Sequence, residues 1–288
     1  SRGKVMKIIS TEYSQVLASR LAEELQCELI YTEYKHFPDN EIYLKTGMPD
    51  ADTVIIGSIV DNDSFVQLLL LIDACEEAEN ITLVLPYMGY ARQDKKFNPG
   101  EPISGRAIAK ALSRNVKKVI AVNIHEEHVL SFFDCPATSV SLASTIGTYV
   151  REMDLSHTLI LGPDVGAANF SQDVANACGS ACDHLQKVRL SGVEVKIQPK
   201  NLDVRGRDVV IVDDIISTGG TLATAAGMLH EQGATSVHAI CVHGIFASGG
   251  YARLLSGGIQ SVASSDTIES AASKFSAARL IAQEILHS

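Results

Sequence analysis

With 288 residues, 46% hydrophobic and 20% charged, the chain can build one large or two ordinary domains, which excludes a disordered, fibrous or disulfide-stapled protein. A formal net charge of −10 at pH 7 excludes a general nucleic-acid surface, so any polyanionic ligand has to be held by local cations or a metal. The six cysteines, at 27, 75, 135, 178, 182 and 241, contain no CxxC pair, and reduced thiols in a cytoplasmic protein are the simplest reading.

From the N-terminus, MKIIS at Met6 reads as a natural start with no signal peptide before it. Short apolar runs then recur with helical stretches between them, the pattern of α/β architecture with parallel strands. In chain order they predict a strand at Lys7–Ile9, a helix at Tyr13–Leu25, a strand at Thr53–Ile59, a helix at Phe65–Glu77, a strand at Ile81–Pro86, a helix at Gly105–Ser113 and a strand at Val119–Ile124. The second half continues with a helix at Ser144–Glu152, a strand at Thr158–Gly162, a helix at Ala167–Cys178, a strand at Val209–Val212, a helix at Thr221–Glu231 and a strand at Val237–Val242. The longest apolar run, Leu68–Ile72, is far too short to cross a bilayer, so no membrane partner is expected. Two doubly wound parallel-sheet domains, 6–143 and 144–288, suit the length better than one sheet of seven or more strands, with a junction near Ser139–Ser144.

Four of the predicted strands run into polar segments at their carboxyl ends: YMGYARQDKK, NIHEEH, GPDVG and VDDIISTGG. Ligands of open α/β sheets gather at that edge, so these segments are candidate site and the runs before them are core. The last is the most informative. Val209–Val212 is a β-branched strand, and Ser217, Thr218, Gly219, Gly220 and Thr221 then leave backbone N–H groups open at a helix N-terminus, a cradle for phosphate. The segment is neither GxxxxGK[ST] nor GxGxxG. Asp213 and Asp214 would repel a phosphate on their own, but they suit the hydroxyls of a sugar attached to it. The plainer alternative is a strand exit followed by helix caps.

VVIVDDIISTGGT is very like the phosphoribosyl-diphosphate signature shared by type I phosphoribosyltransferases and ribose-phosphate diphosphokinases. FPDNEIYLK, YARQDKK with EPISGRAIAKAL, NIHEEHVLSFFD, GPDVG, KVR and HGIF resemble diphosphokinase segments in the right order. The resemblance covers the chain from Met6 to about Ser273 and is most similar to archaeal members. It implies two domains of the type I phosphoribosyltransferase kind, the second carrying the ribose 5-phosphate loop, and leaves open that the C-terminal helix packs on the first.

Carried over by motif, the resemblance implies that Phe37 stacks on adenine and that Asp39, Asn40 and Glu41 contact the nucleotide, supplied by a neighbouring subunit. Arg92 and Gln93 would bind ATP, the co-substrate. His125 resembles the histidine that ligates the Mg2+ on ATP, Asp164 a carboxylate tied to a second ion, and Glu126 and His128 are set aside as neighbours. Lys187 and Arg189, two apart on an extended segment, resemble the catalytic cations, with Arg189 also at the ribose 5-phosphate. Asn123 and Ser217 depart from the family pattern, each standing where an acid is common. The implied activity is transfer of the diphosphoryl group of Mg-ATP to the 1-hydroxyl of ribose 5-phosphate, in a homo-oligomer of at least two subunits. A type I phosphoribosyltransferase and a non-catalytic regulatory relative are the alternatives.

Overall fold

The structure, a computed structural model, describes residues 6–189, 195–198 and 202–287. Contacts divide the chain into two compact units: one runs through Ser141 and takes back Thr267–Glu269 and the segment from Ser276, and the other holds Leu142–Asp266 and Ser270–Phe275.

The first unit follows β1 (Met6–Ser10), α1 (Gln15–Leu25), β2 (Glu28–Ile30), β3 (Thr32–His36), β4 (Ile42–Thr46), β5 (Asp52–Ile56), α2 (Asn62–Ala74), β6 (Asn80–Leu85), α3 (Ser104–Leu112), β7 (Val116–Val122) and β8 (Ala137–Val140). Six strands form one sheet in the order β2-β1-β5-β6-β7-β8, every pairing parallel. The middle strands have apolar residues on both faces because helices cover both, as a parallel sheet requires; Ile55, Ile56, Leu83, Val84 and Leu85 are all inaccessible. β3 and β4 pair antiparallel as a separate hairpin. The start of α2 is closed by its own side chains: Asp61 Oδ1 accepts from the Ser64 amide at 2.8 Å while Ser64 Oγ accepts from the Asp61 amide at 3.0 Å.

The second unit follows α4 (Ala143–Glu152), β9 (Leu159–Gly162), α5 (Ala168–Cys178), β10 (Ala181–His184), β11 (Gln186–Arg189), β12 (Val195–Gln198), β13 (Asp208–Ile216), α6 (Gly220–Glu231), β14 (Ser236–Gly244), α7 (Gly250–Ser256), β15 (Ser261–Ser265) and β16 (Ser273–Phe275). Its sheet runs β10-β9-β13-β14-β15-β16, again all parallel, and β11 with β12 forms an antiparallel hairpin of its own. Numbering the sheet strands within each unit gives the same order twice, 2-1-3-4-5-6, with a hairpin inserted between the second and third strands both times. The chain is thus built from two copies of one doubly wound topology.

The last helix, α8 (Ala278–Leu286), belongs to the first unit, where it packs on α1 and against β7 and β8. Its Glu284 Oε1 lies 3.2 Å from Lys118 Nζ and accepts from Thr138 Oγ1 at 3.0 Å. Among the described residues no helix is long and apolar enough to cross a membrane, and all six cysteines are free. Cys178 closes α5 and Cys182 lies in β10, so the two do not share a helix face.

At the amino-terminal edge of the second sheet, away from its ligand edge, Asp208 Oδ2 accepts from the Ser156 amide and Oδ1 from Ser236 Oγ, both at 2.6 Å. Ser236 Oγ is in turn 2.9 Å from His238 Nε2, and Ser261 Oγ is 2.6 Å from His238 Nδ1. With Ser261 donating to Nδ1 and Nε2–H donating to Ser236, both ring nitrogens of a neutral imidazole are satisfied. Burial lowers the His238 pKa below its ordinary 6.5, against the opposing charge of Asp208. The unfolded chain therefore takes up this proton first, and the contribution to stability is complete above 6.5 and lost as pH falls from there through the lower value of the folded state. Wild type should lose thermal stability between pH 7.5 and 5 more steeply than His238→Gln; melting curves with the same gap between the two proteins at both pH values would remove His238 from this role.

Candidate active site

In the second unit, β13 pairs with β9 only as far as Ile211 but with β14 as far as Ile216. Its last turns of strand therefore run past the end of β9 at the carboxyl edge of the sheet. Asp213 and Asp214 lie in this overhang, half-buried. The strand does not stop before them, as the apolar run suggested, but carries both acids, so they alternate between its two sides. Asp213 Oδ1 accepts from the Asp214 amide at 2.9 Å and Asp214 Oδ1 from the Ile215 amide at 2.8 Å, which fixes the orientation of each carboxylate.

The chain then turns through Ser217 and Thr218 into α6. Gly219 has φ 72° and ψ 0°, the left-handed conformation that glycine adopts without a Cβ penalty. Thr218 is exposed, and Ser217, Gly220 and Thr221 are half-buried. α6 has no side-chain cap, and among the described residues no acceptor takes the amides of Thr218, Gly219, Gly220 or Thr221. Several N–H groups at the positive end of a helix dipole thus face a partly open surface, the arrangement that binds a phosphate. The equivalent helix of the first unit is α2, which also follows the third sheet strand; there Asp61 and Ser64 form a capping box that takes the Ser64 amide.

Asp164 stands between β9 and α5, on the same carboxyl edge, and its Oδ1 accepts from the Ala167 amide at 3.0 Å. Lys187 and Arg189 are on β11, in register with Ile197 and Val195 of β12; their side chains lie outside the described residues.

In the first unit, 37–41 is the tip of the β3–β4 hairpin. Phe37 exchanges backbone bonds with Glu41 and Asn40, both at 2.8 Å, and Asn40 closes the turn at φ 71°. The Phe37 ring meets Tyr43 edge-on at 5.9 Å yet stays 50% exposed, and Asp39, Asn40 and Glu41 are exposed beside it. After β6, Gln93 is fastened to the start of α3: its Oε1 accepts from Ser104 Oγ at 2.6 Å and its carbonyl from the Gly105 amide at 3.1 Å. Its neighbour Arg92 is exposed. After β7, the Asn123 amide reaches the Val140 carbonyl at 2.9 Å and the Ile124 amide reaches Ser139 Oγ at 3.1 Å, leading to an exposed His125.

One grouping here was missed by the sequence reading. Asp94 is buried, and its Oδ2 lies 3.2 Å from His128 Nε2, while Glu126 Oε2 lies 4.0 Å from His128 Nδ1. These are the residues among those described whose ligand atoms could together hold a metal ion, all within 4.8 Å. His128 also meets Phe132 edge-on at 5.7 Å. The sequence signal was the acid two residues after Arg92, which periodicity does not distinguish from a solvated charge run. His125 belongs to the first unit and Asp164 to the second.

Comparisons with known proteins agree along the whole chain. Residues 6–115 match the family model described as the N-terminal domain of ribose phosphate pyrophosphokinase, and residues 129–255 match that of the phosphoribosyl transferase domain. A ribose-phosphate pyrophosphokinase of Methanosarcina mazei is 47% identical over 98% of this chain and 95% of its own length. That of Methanopyrus kandleri is 40% identical over 97% and 98%. Among solved structures, the phosphoribosylpyrophosphate synthetase of Mycobacterium smegmatis superposes with a TM-score of 0.84 at 26% identity, covering 98% of each chain.

The geometry of the turn makes its own demand on residue 219. An alanine Cβ would lie 3.0 Å from both the Gly250 carbonyl and Leu254 Cγ, on a backbone that L-residues disfavour. Gly219→Ala should therefore cost about 1–2 kcal/mol of stability in denaturant titration, and a cost near zero would mean that the turn relaxes freely.

Proposed function

The chain belongs to the ribose-phosphate pyrophosphokinase family, and from that premise we propose how its residues divide the work of the family reaction. The protein is an enzyme that transfers the diphosphoryl group of ATP to ribose 5-phosphate. The 1-hydroxyl of the sugar attacks the β-phosphorus, the bond from that phosphorus to the α–β bridging oxygen breaks, and AMP leaves with the oxygen.

The observation that carries the site assignment is the run of open amides from Thr218 to Thr221 beyond two strand-borne carboxylates. The amides, with the hydroxyls of Ser217, Thr218 and Thr221, take the 5-phosphate without adding charge, while Asp213 and Asp214 accept from the pentose hydroxyls. Ser217, where an acid is common in relatives, adds a donor instead of a repelling charge. Lys187 and Arg189 on the β11–β12 hairpin stabilise the negative charge that builds on the transferring group, and Arg189 also holds the sugar phosphate.

For the nucleotide, Phe37 offers an exposed ring for adenine, with Asp39, Asn40 and Glu41 beside it, and Arg92 and Gln93 bind the triphosphate end. A ring held outward at a hairpin tip suits a ligand bound by a neighbouring copy, which supports a homo-oligomer of at least two subunits. Asp164 and His125 each fit a magnesium ion of their own: Asp164, a half-buried oxygen donor already oriented by the Ala167 amide, would hold one near the ribose, and His125, an exposed imidazole and the poorer match, would hold the one on ATP. When bound, the ion neutralises charge on the triphosphate. Free cysteines throughout support a reducing, cytoplasmic setting.

Incubation with ATP, ribose 5-phosphate and magnesium should give AMP and the 1-diphosphate product by phosphorus NMR, and failure to form AMP would overturn the reading. Lys187→Ala should lower kcat on the order of a hundredfold or more with both KM values little changed, whereas near-normal turnover would strip Lys187 of its role.

A further inference from the structure

The HGIF segment is part of the family pattern, yet none of the roles above uses it. It leads into α7, and this stretch holds the back of the phosphate turn through three consecutive carbonyls. The Ile216 carbonyl accepts from the Ile245 amide at 3.0 Å and the Phe246 amide at 3.3 Å. The Ser217 carbonyl packs on Gly250 so closely that a Cβ there would stand 2.6 Å from it. The Thr218 carbonyl accepts from Arg253 Nη1 at 2.7 Å, while Nη2 of the same guanidinium reaches the Ser248 carbonyl at 3.4 Å.

In a planar trans peptide the carbonyl and the following N–H point to opposite sides. Turning the Ser217 and Thr218 carbonyls toward α7 therefore turns the Thr218 and Gly219 amides away from it, side by side, as in an anion-binding nest. A flip of the 218–219 peptide would aim a carbonyl oxygen at the ligand instead of an N–H. Either orientation is open to a glycine-rich turn, so something has to choose. We propose that Arg253 is a positioning residue for ribose 5-phosphate binding, its guanidinium locking the 218–219 peptide so that the turn presents amides to the 5-phosphate, with Gly250 allowing α7 to approach closely enough. This rests on the assignment of 217–221 to the 5-phosphate. The segment earns its geometry: Phe246, Ser248 and Gly249 all have positive φ, at 50°, 52° and 75°, and the Phe246 ring is braced edge-on against Tyr251 at 5.5 Å.

The test compares wild type with Arg253→Met, Arg253→Lys, Gly250→Ala and Thr221→Ala, by kinetics and by calorimetric titration with ribose 5-phosphate and with ribose. Arg253→Met should raise KM and Kd for ribose 5-phosphate about tenfold or more, leaving KM for ATP, the Kd of ribose and the melting temperature little changed. Arg253→Lys, which keeps a donor for one carbonyl, should recover most of the loss, and Gly250→Ala, which presses on Ser217, should reproduce it. If Thr221→Ala weakens ribose 5-phosphate binding but Arg253→Met and Gly250→Ala do not, the lock is wrong and the turn assignment stands. If none of the three weakens it, both are wrong. Equal loss for ATP and ribose 5-phosphate, or a collapse of folding that Arg253→Lys does not repair, would reduce Arg253 to a structural residue and overturn the proposal.

Discussion

A peptide group cannot turn its N–H outward without turning its C=O inward, and the second unit is organised around that constraint. The net charge of the chain is −10, yet its substrate chemistry is that of phosphates. In the proposed site backbone amides resolve the conflict, because they attract an anion without bringing a counter-charge that acids nearby would neutralise. The carbonyls then need acceptable surroundings on the far side of the turn, and the segment after β14 together with α7 supplies them at Ile216, Ser217 and Thr218. The overhang of β13 beyond β9 is what gives the turn room.

The two copies of one topology act as an internal comparison. In each, the third sheet strand leads through a turn to a helix, α2 in the first unit and α6 in the second. At α2 a capping box of Asp61 and Ser64 takes the Ser64 amide, whereas at α6 a left-handed glycine stands in place of a side-chain cap. The strand order is shared; the two helix starts differ in backbone as well as side chain, extended at Asp61 and left-handed at Gly219. The inserted hairpins differ in sequence as well, one carrying an aromatic residue and acids, the other a lysine and an arginine.

The α/β class and the parallel core were legible in the sequence because buried strands such as Ile81–Leu85 and Val209–Val212 are nearly unbroken apolar runs. The outer strands were not. β8, β10, β15 and β16 are three to five residues long and mostly polar or small, as in SVASS and SKF, and β2 is only three residues, so neither period nor propensity marks them. Without them the repeated strand order was invisible, although the polar ends of four strands hinted at it. The turn into α6 was readable as a turn because glycine and hydroxyl residues crowd that helix start. The Asp94–His128 contact and the three held carbonyls were not, since they join segments tens of residues apart and the carbonyl contacts belong to backbone, which sequence does not spell out.

The return of the tail has a practical corollary. α8 lays Ala278, Ile281, Ala282 and Ile285 into the first unit, and Glu284 ties to Lys118 and Thr138 there. A cut at the junction after Ser141 would not yield two self-sufficient fragments: the upstream piece would expose the apolar stripe of α1 that α8 covers, and the downstream piece would carry an orphaned amphipathic helix. Splitting the chain there is therefore the wrong division, and a circular permutant that joins α8 to the front of β1 would keep each lobe whole.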